Sequence, residues 1–309
     1  MKGALIKQEQ WAQLLKMGPN ELLRWMQDSG YKPEIDDLGV EKRDLTQLEM
    51  ALTKNFMRTL TKLHRISDEK VQQVLKVYVK RYDLDNFKTI IRGKMTHVAS
   101  DELRSLLVPS INHTLEYFDE LLAMDNVEQI LKALPYEVAG DDLFAIENAL
   151  DRAHFEELSH LIERIRGQGA PMRAFLQAEL DNMNIKLILR LKKEEFEDED
   201  IRKYLISPST KMLELVDEKD IASIIAKLRK EKHVVIEGDN PELADLEIDL
   251  DTALLKKERL LMHQHPLTVS VILGFMLAKE IEVKNLKVLI KGKMLGLEEQ
   301  YLEKLLVVQ

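Results

Sequence analysis

Apolar residues in this chain recur three and four positions apart. Phe87 is followed by Ile90 and Ile91, and Leu103 by Leu106 and Leu107. That spacing lines one face of a helix, and the alternation that marks strands is nearly absent. Lys-, Glu-, Leu- and Ala-rich stretches between these positions favour helix by intrinsic propensity. The pattern predicts an all-α protein. Its most apolar segment, Leu267 to Ala278, is interrupted by Thr268 and Ser270. It falls short of the ~20 apolar residues a membrane span needs. It is expected to be a buried core helix with Pro266 in its first turn, so that any membrane association goes through a partner and not through direct insertion.

The pattern also returns along the chain. Tyr82 to Lys94, Leu180 to Lys192 and Ile281 to Lys293 align position by position on Asn86, Asn184 and Asn285. An acid lies three residues before each asparagine (Asp83, Asp181, Glu282), and a lysine two after it (Lys88, Lys186, Lys287). Between and beyond them come apolar residues, then a base at Arg92, Arg190 and Lys291. Seventeen residues past the asparagine sit Leu103, Ile201 and Leu302. Upstream, Leu48-Glu-Met-Ala-Leu52 matches Ile146-Glu-Asn-Ala-Leu150 and Leu250-Asp-Thr-Ala-Leu254. A weaker block pairs Leu22, Trp25 and Met26 with Val127, Ile130 and Leu131, and with Ile221, Ile224 and Ile225.

Three blocks in one order are the mark of an internal repeat. They predict three homologous helical-bundle modules, 1–116, 117–210 and 211–309, each of a normal domain size. Copy three carries an acidic insert, Glu237 to Glu242, expected as a surface loop. The repeated acid fits either an N-cap, with a helix starting at Asp83 and Asp181, or a helix running straight through. Ser67 and Ser100, each followed by Asp-Glu, are further expected caps. The repeat-marking acid, asparagine and lysine are the candidate structural or interaction residues, with a structural role favoured because they recur where the fold recurs.

Composition narrows the function. The chain has 309 residues, no cysteine, 12 glycines and 8 prolines. Disulfides and thiolate metal sites are excluded. A formal net charge of −9 gains nothing from counterion release on phosphates, which argues against a nucleic-acid partner. Gly93-Lys94 and Gly292-Lys293 lack the earlier glycine and the following Ser or Thr of a phosphate-binding loop, since Lys88, Lys287, Met95 and Met294 stand there. A basic helix end explains them better. His263 and His265 lack a clear third metal ligand nearby, and His154 and His160 are six apart where a helical zinc site needs four. The acidic run Glu194 to Asp200 reads as a solvated turn. No catalytic, cofactor-binding or metal residues are expected.

The three Asp/Glu-x-x-Asn-apolar-Lys segments, with Glu-x-Ala-Leu upstream and His265-Pro-Leu-Thr-Val before the third copy, resemble the C-subunit family of V-type (A-type) ATP synthases. Its eukaryotic counterpart is the d subunit of the V-ATPase. The resemblance spans nearly the whole chain. It implies three similar helical modules forming a funnel-shaped body, with no catalytic activity. It also implies a cytoplasmic-side position, peripheral on the membrane sector, between the central shaft of the ATPase head and the proteolipid ring. Family members usually begin with a longer helix, and Met1-Lys-Gly-Ala-Leu-Ile looks as though it starts inside that helix. Copy two has Leu191 where the other copies have glycine. A generic helical-repeat scaffold unrelated to rotary ATPases is the alternative.

Overall fold

The computed structural model describes residues 5–38, 44–138, 142–164, 169–231, 241–264 and 270–307. Among them the chain forms sixteen helices and no strand. The chain divides into two compact units, Met1–Ile130 with Ile272–Gln309, and Leu131–Val271.

In the first unit, α1 (Gln8–Lys16), α2 (Pro19–Gln27) and α3 (Lys32–Asp36) lead into the long helices α4 (Leu45–Ile66) and α5 (Glu69–Met95). Asp44 caps α4 by accepting from the Gln47 amide, and Asp68 caps α5 by accepting from the Val71 amide. The cap of α5 is therefore Asp68, one residue past the expected Ser67, which closes α4 instead. A side-chain acceptor at this position satisfies one of the free N–H groups of the first turn. The short α6 (Ser100–Ser105) and α7 (Leu115–Leu122) follow, with Ala99 and not Ser100 at the N-cap of α6. Phe87, Tyr117 and Phe118 pack edge to face beside His113. The C-terminal helices α15 (Ser270–Met294) and α16 (Glu299–Leu305) join this unit, and α16 packs on α1.

The helix α8 (Val127–Ala133) leads toward the second unit, which holds α9 (Leu143–Arg164), α10 (Gly169–Lys193), α11 (Asp198–Tyr204), α12 (Thr210–Val216), α13 (Ile221–Lys230) and α14 (Leu243–Gln264). Its core gathers Ile185, Ile188, Leu189 and Leu191 of α10 with Ile201, Leu205, Met212, Leu215 and Val216. Ile224, Ile225 and Leu228 of α13 and Leu246 and Leu250 of α14 complete it. These are the apolar positions the i, i+3, i+4 pattern marks, and burying them is the main stabilising term of the unit. Each is worth ~1.5–3 kcal/mol on complete burial.

Two glycines have a packing reason. A Cβ on Gly93 would lie 2.2 Å from Leu103, and one on Gly292 would lie 2.1 Å from Leu302. The Leu103 and Leu302 side chains, on α6 and α16, thus fill the space a Cβ on the last turns of α5 and α15 would need. The copy-two counterpart, Leu191, is itself part of the core. Pro266, His265 and residues 237–240 of the acidic insert lie outside the described residues.

Candidate functional site

The repeated asparagines form the best-defined polar feature of the molecule. Each is buried in the middle of a long helix and grips the backbone of a residue 22 positions downstream, past the following short helix. Asn86 Nδ2 donates to the Val108 carbonyl at 2.8 Å, and the Val108 amide donates back to Asn86 Oδ1 at 3.1 Å. Asn184 makes the same pair with Ile206 at 2.8 and 2.9 Å. Asn285 makes it with Val307 at 2.9 and 3.0 Å. An asparagine amide offers a donor and an acceptor side by side, so it satisfies both main-chain groups of an irregular segment in the core.

The acids three residues earlier lie inside the same helices. The helix runs through Asp83, Asp181 and Glu282, so none of them is an N-cap. Each faces the segment that enters a short helix. Asp83 accepts from Asn112 Nδ2 at 3.0 Å, and Asp181 accepts from Ser209 Oγ at 3.3 Å. Glu282 accepts from the Ile6 amide at 2.6 Å and also from the Tyr31 hydroxyl and Lys279 Nζ. Burial and the Glu282 carboxylate push the Tyr31 phenol well above its ordinary value.

Two of the three lysines tie one sequence copy to another. Lys186 of copy two meets Asp251 at 2.6 Å, in the upstream block of copy three. Lys287 of copy three donates to Thr53 Oγ1 at 2.7 Å, on the helix carrying the upstream block of copy one. Burial lowers the Lys287 pKa in spite of Glu49 nearby. Lys88 lies half-buried at the aligned place on α5.

Three further lysines, which the sequence alone marks only as helix-end cations, act across helices. Lys94 Nζ donates to the Leu122 carbonyl at the end of α7 (2.7 Å), and Lys192 Nζ to the Glu218 carbonyl just past α12 (3.0 Å). Lys293 Nζ donates to the Leu15 carbonyl in the last turn of α1. The signal was present, since all three close their repeat segments at one aligned position. The residue three further on is left-handed in every copy: His97, Glu195 and Gly296. There the amides of Val98, Phe196 and Leu297 bond back to the carbonyls of Gly93, Leu191 and Gly292, which ends each long helix with a Schellman turn.

The other candidates do not converge. His154 is buried against Phe155, while His160 is exposed beside Glu163. The His263 side chain and His265 lie outside the described residues. Among the described residues no group of three or more His, Asp or Glu can hold a metal ion. Glu194 and Glu195 are exposed in the turn, whereas Asp198 meets Lys192 at 2.6 Å.

Asp83 carries a measurable pH signature. Burial pushes its carboxyl up to about 6, against the opposing influence of Ser110, Asn112 and Lys80. The folded value lies above the unfolded one, so the native state holds the proton more tightly. Stability from this group therefore falls as pH rises from the unfolded value through about 6, then levels off. Asp83→Asn is expected to stabilise the protein by roughly 1–3 kcal/mol at pH 7.5, with the gain shrinking toward pH 4. Urea unfolding of both proteins at the two pH values measures it.

These features define a class: an all-helical chain with an internal repeat, whose signature polar residues hold its own helices together. The family described as ATP synthase (C/AC39) subunit matches residues 1–305, and the chain belongs to it. It is 30% identical to the C subunit of the A-type ATP synthase of Archaeoglobus fulgidus, covering 100% of this chain and 93% of the relative. The same subunit of Methanosarcina mazei is 29% identical over 100% of this chain and 90% of the relative. That of Halobacterium salinarum is 30% identical over 99% and 94%.

Proposed function

We propose that this chain is the non-catalytic central-stalk subunit of a V/A-type rotary ATPase. In this reading it joins the central shaft of the soluble head to the membrane proteolipid ring and transmits torque between them. The single observation that carries the proposal is family membership along the whole chain, together with relatives named as the C subunit of A-type ATP synthases. The mechanics agree. A torque-bearing adaptor has to resist bending, and each copy pins a long helix to a downstream segment by a buried two-bond clasp. The three modules, 1–116, 117–210 and 211–309, supply unlike surfaces on a common scaffold. Stable interfaces bury at least about 1,000 Å², so two extended contact faces are expected, one for the shaft and one for the ring. No helix among the described residues is long and apolar enough to cross a membrane, which suits attachment to the inner face through the ring. Any partner-facing role of Asp83, Asn86, Lys88, Asp181, Asn184, Lys186, Glu282, Asn285 and Lys287 comes on top of the internal bonds described above.

Co-purification tests this. With a tagged proteolipid ring in detergent, and separately with tagged shaft subunits, the chain is expected to be retained by each. Recovery with neither leaves the generic helical scaffold as the better reading.

A further inference from the structure

In copies one and two the chain leaves the asparagine clasp and runs directly into the next short helix. Val108 is clasped and α7 follows; Ile206 is clasped and α12 follows. The acid of each copy bonds to that connection, at Asn112 and at Ser209. The lysine at the end of the long helix then holds the far end of the short helix, at Leu122 and Glu218.

Copy three has the same three contacts, but the short helix is α1. Val307 is clasped by Asn285, the acid Glu282 holds the Ile6 amide, and Lys293 holds Leu15. Ile6 and Glu282 are 276 positions apart in the chain. So α1 stands to α15 and α16 as α7 stands to α5 and α6, without a chain connection running from one to the other.

This junction carries an ion pair whose two side chains are almost fully withdrawn from water. Lys279 Nζ and Glu282 Oε1 lie 2.6 Å apart, at 8% and 4% exposure. Tyr31 donates to the carboxylate and accepts from the lysine, whose ammonium also sits 4.2 Å from the ring centroid. The residue aligned with Lys279 is Ala178 in copy two and the half-buried Lys80 in copy one. Since the three copies share one fold, the fold itself does not require a buried lysine here.

We propose that Lys279, Glu282, Tyr31 and the Ile6 amide form a latch. It replaces the missing chain connection and holds residues 6–31 on α15 and α16 as a strap that releases as a unit while the second compact unit stays folded. The inference rests on the internal comparison of copies and not on the proposed function. A buried pair broken on one side leaves the partner uncompensated, so release is sensitive to single substitutions.

Hydrogen exchange on the full chain, read by mass spectrometry, tests it. Glu282→Gln is expected to raise exchange in α1, α2 and α16 together by roughly a hundredfold. Tyr31→Phe, a milder change that keeps the ring, is expected to raise it roughly tenfold. In both, α10 to α14 keep wild-type exchange. The matched change Asp181→Asn leaves α12 close to wild type, because that junction is covalent. A circular permutant that joins Gln309 to Met1 and opens the chain at Ser207-Pro208 is expected to fold and to remove most of the Glu282→Gln effect. Uniform loss of protection across all helices would overturn the latch. So would equal effects of Glu282→Gln and Asp181→Asn, an undiminished effect in the permutant, or a permutant that does not fold.

Discussion

Asn184→Ala is expected to cost about 2–5 kcal/mol of stability, since it strands two buried main-chain groups at once. The amide and carbonyl of Ile206 both bond to this one side chain, and Asn184 is itself buried. Alanine removes both partners at the edge of the core that holds Ile185 and Leu205. Asn184→Asp keeps an acceptor for the amide but sets a carboxylate oxygen against the Ile206 carbonyl, so it does not rescue. Asn86→Ala and Asn285→Ala should show losses of the same size, because the geometry repeats within 0.2 Å. Arg190→Ala is the contrast. Its bonds to Glu247 at 2.6 and 2.8 Å lie on an exposed arginine, and such pairs contribute about 0–1 kcal/mol. Urea unfolding followed by circular dichroism separates the two outcomes.

Lys279→Met is expected to cost about 3–5 kcal/mol, the usual penalty for removing one member of a buried ion pair. Glu282 would stay buried, with the Tyr31 hydroxyl and the Ile6 amide as its remaining partners. The Lys279 ammonium also sits 4.2 Å from the Tyr31 ring centroid, and methionine keeps the apolar bulk of the stem while removing the charge, so the loss reports mainly on charge. Adding Glu282→Gln removes the stranded carboxylate while keeping an acceptor for Ile6. The double variant should therefore recover at least half of the loss. A double-mutant cycle gives the coupling directly, and additive losses would mean that the two groups act independently.

Much of the local chemistry was legible in the sequence because the copies can be compared with one another. Asn86, Asn184 and Asn285 stood out as identical residues at one aligned place, and they share one bonding pattern. Their partners could not be read. The clasp grips main-chain atoms of Val108, Ile206 and Val307, and a backbone group leaves no trace in residue type. The left-handed turn was visible at most at Gly296, since His97 and Glu195 adopt the same conformation without glycine. The repeated acid resembled a cap because it precedes the asparagine by three. The cap of α5 is in fact Asp68, far upstream, because the helix continues through a buried stretch that includes Val74, Leu75, Tyr78 and Val79. Hardest to see was the pairing of one copy's long helix with the next copy's upstream block, as in Lys186 with Asp251 and Lys287 with Thr53. Such pairing depends on which surfaces meet in space, and periodicity along the chain is silent about that.

A bridging measurement with purified parts goes to the centre of the functional reading. Shaft subunits and detergent-solubilised proteolipid ring are mixed with and without this chain, and the shaft retained on immobilised ring is quantified. The rotor reading predicts that shaft is held only when the chain is present, in proportion to the chain bound. Equal retention in its absence, or chain bound to the ring with no gain in shaft, would contradict it.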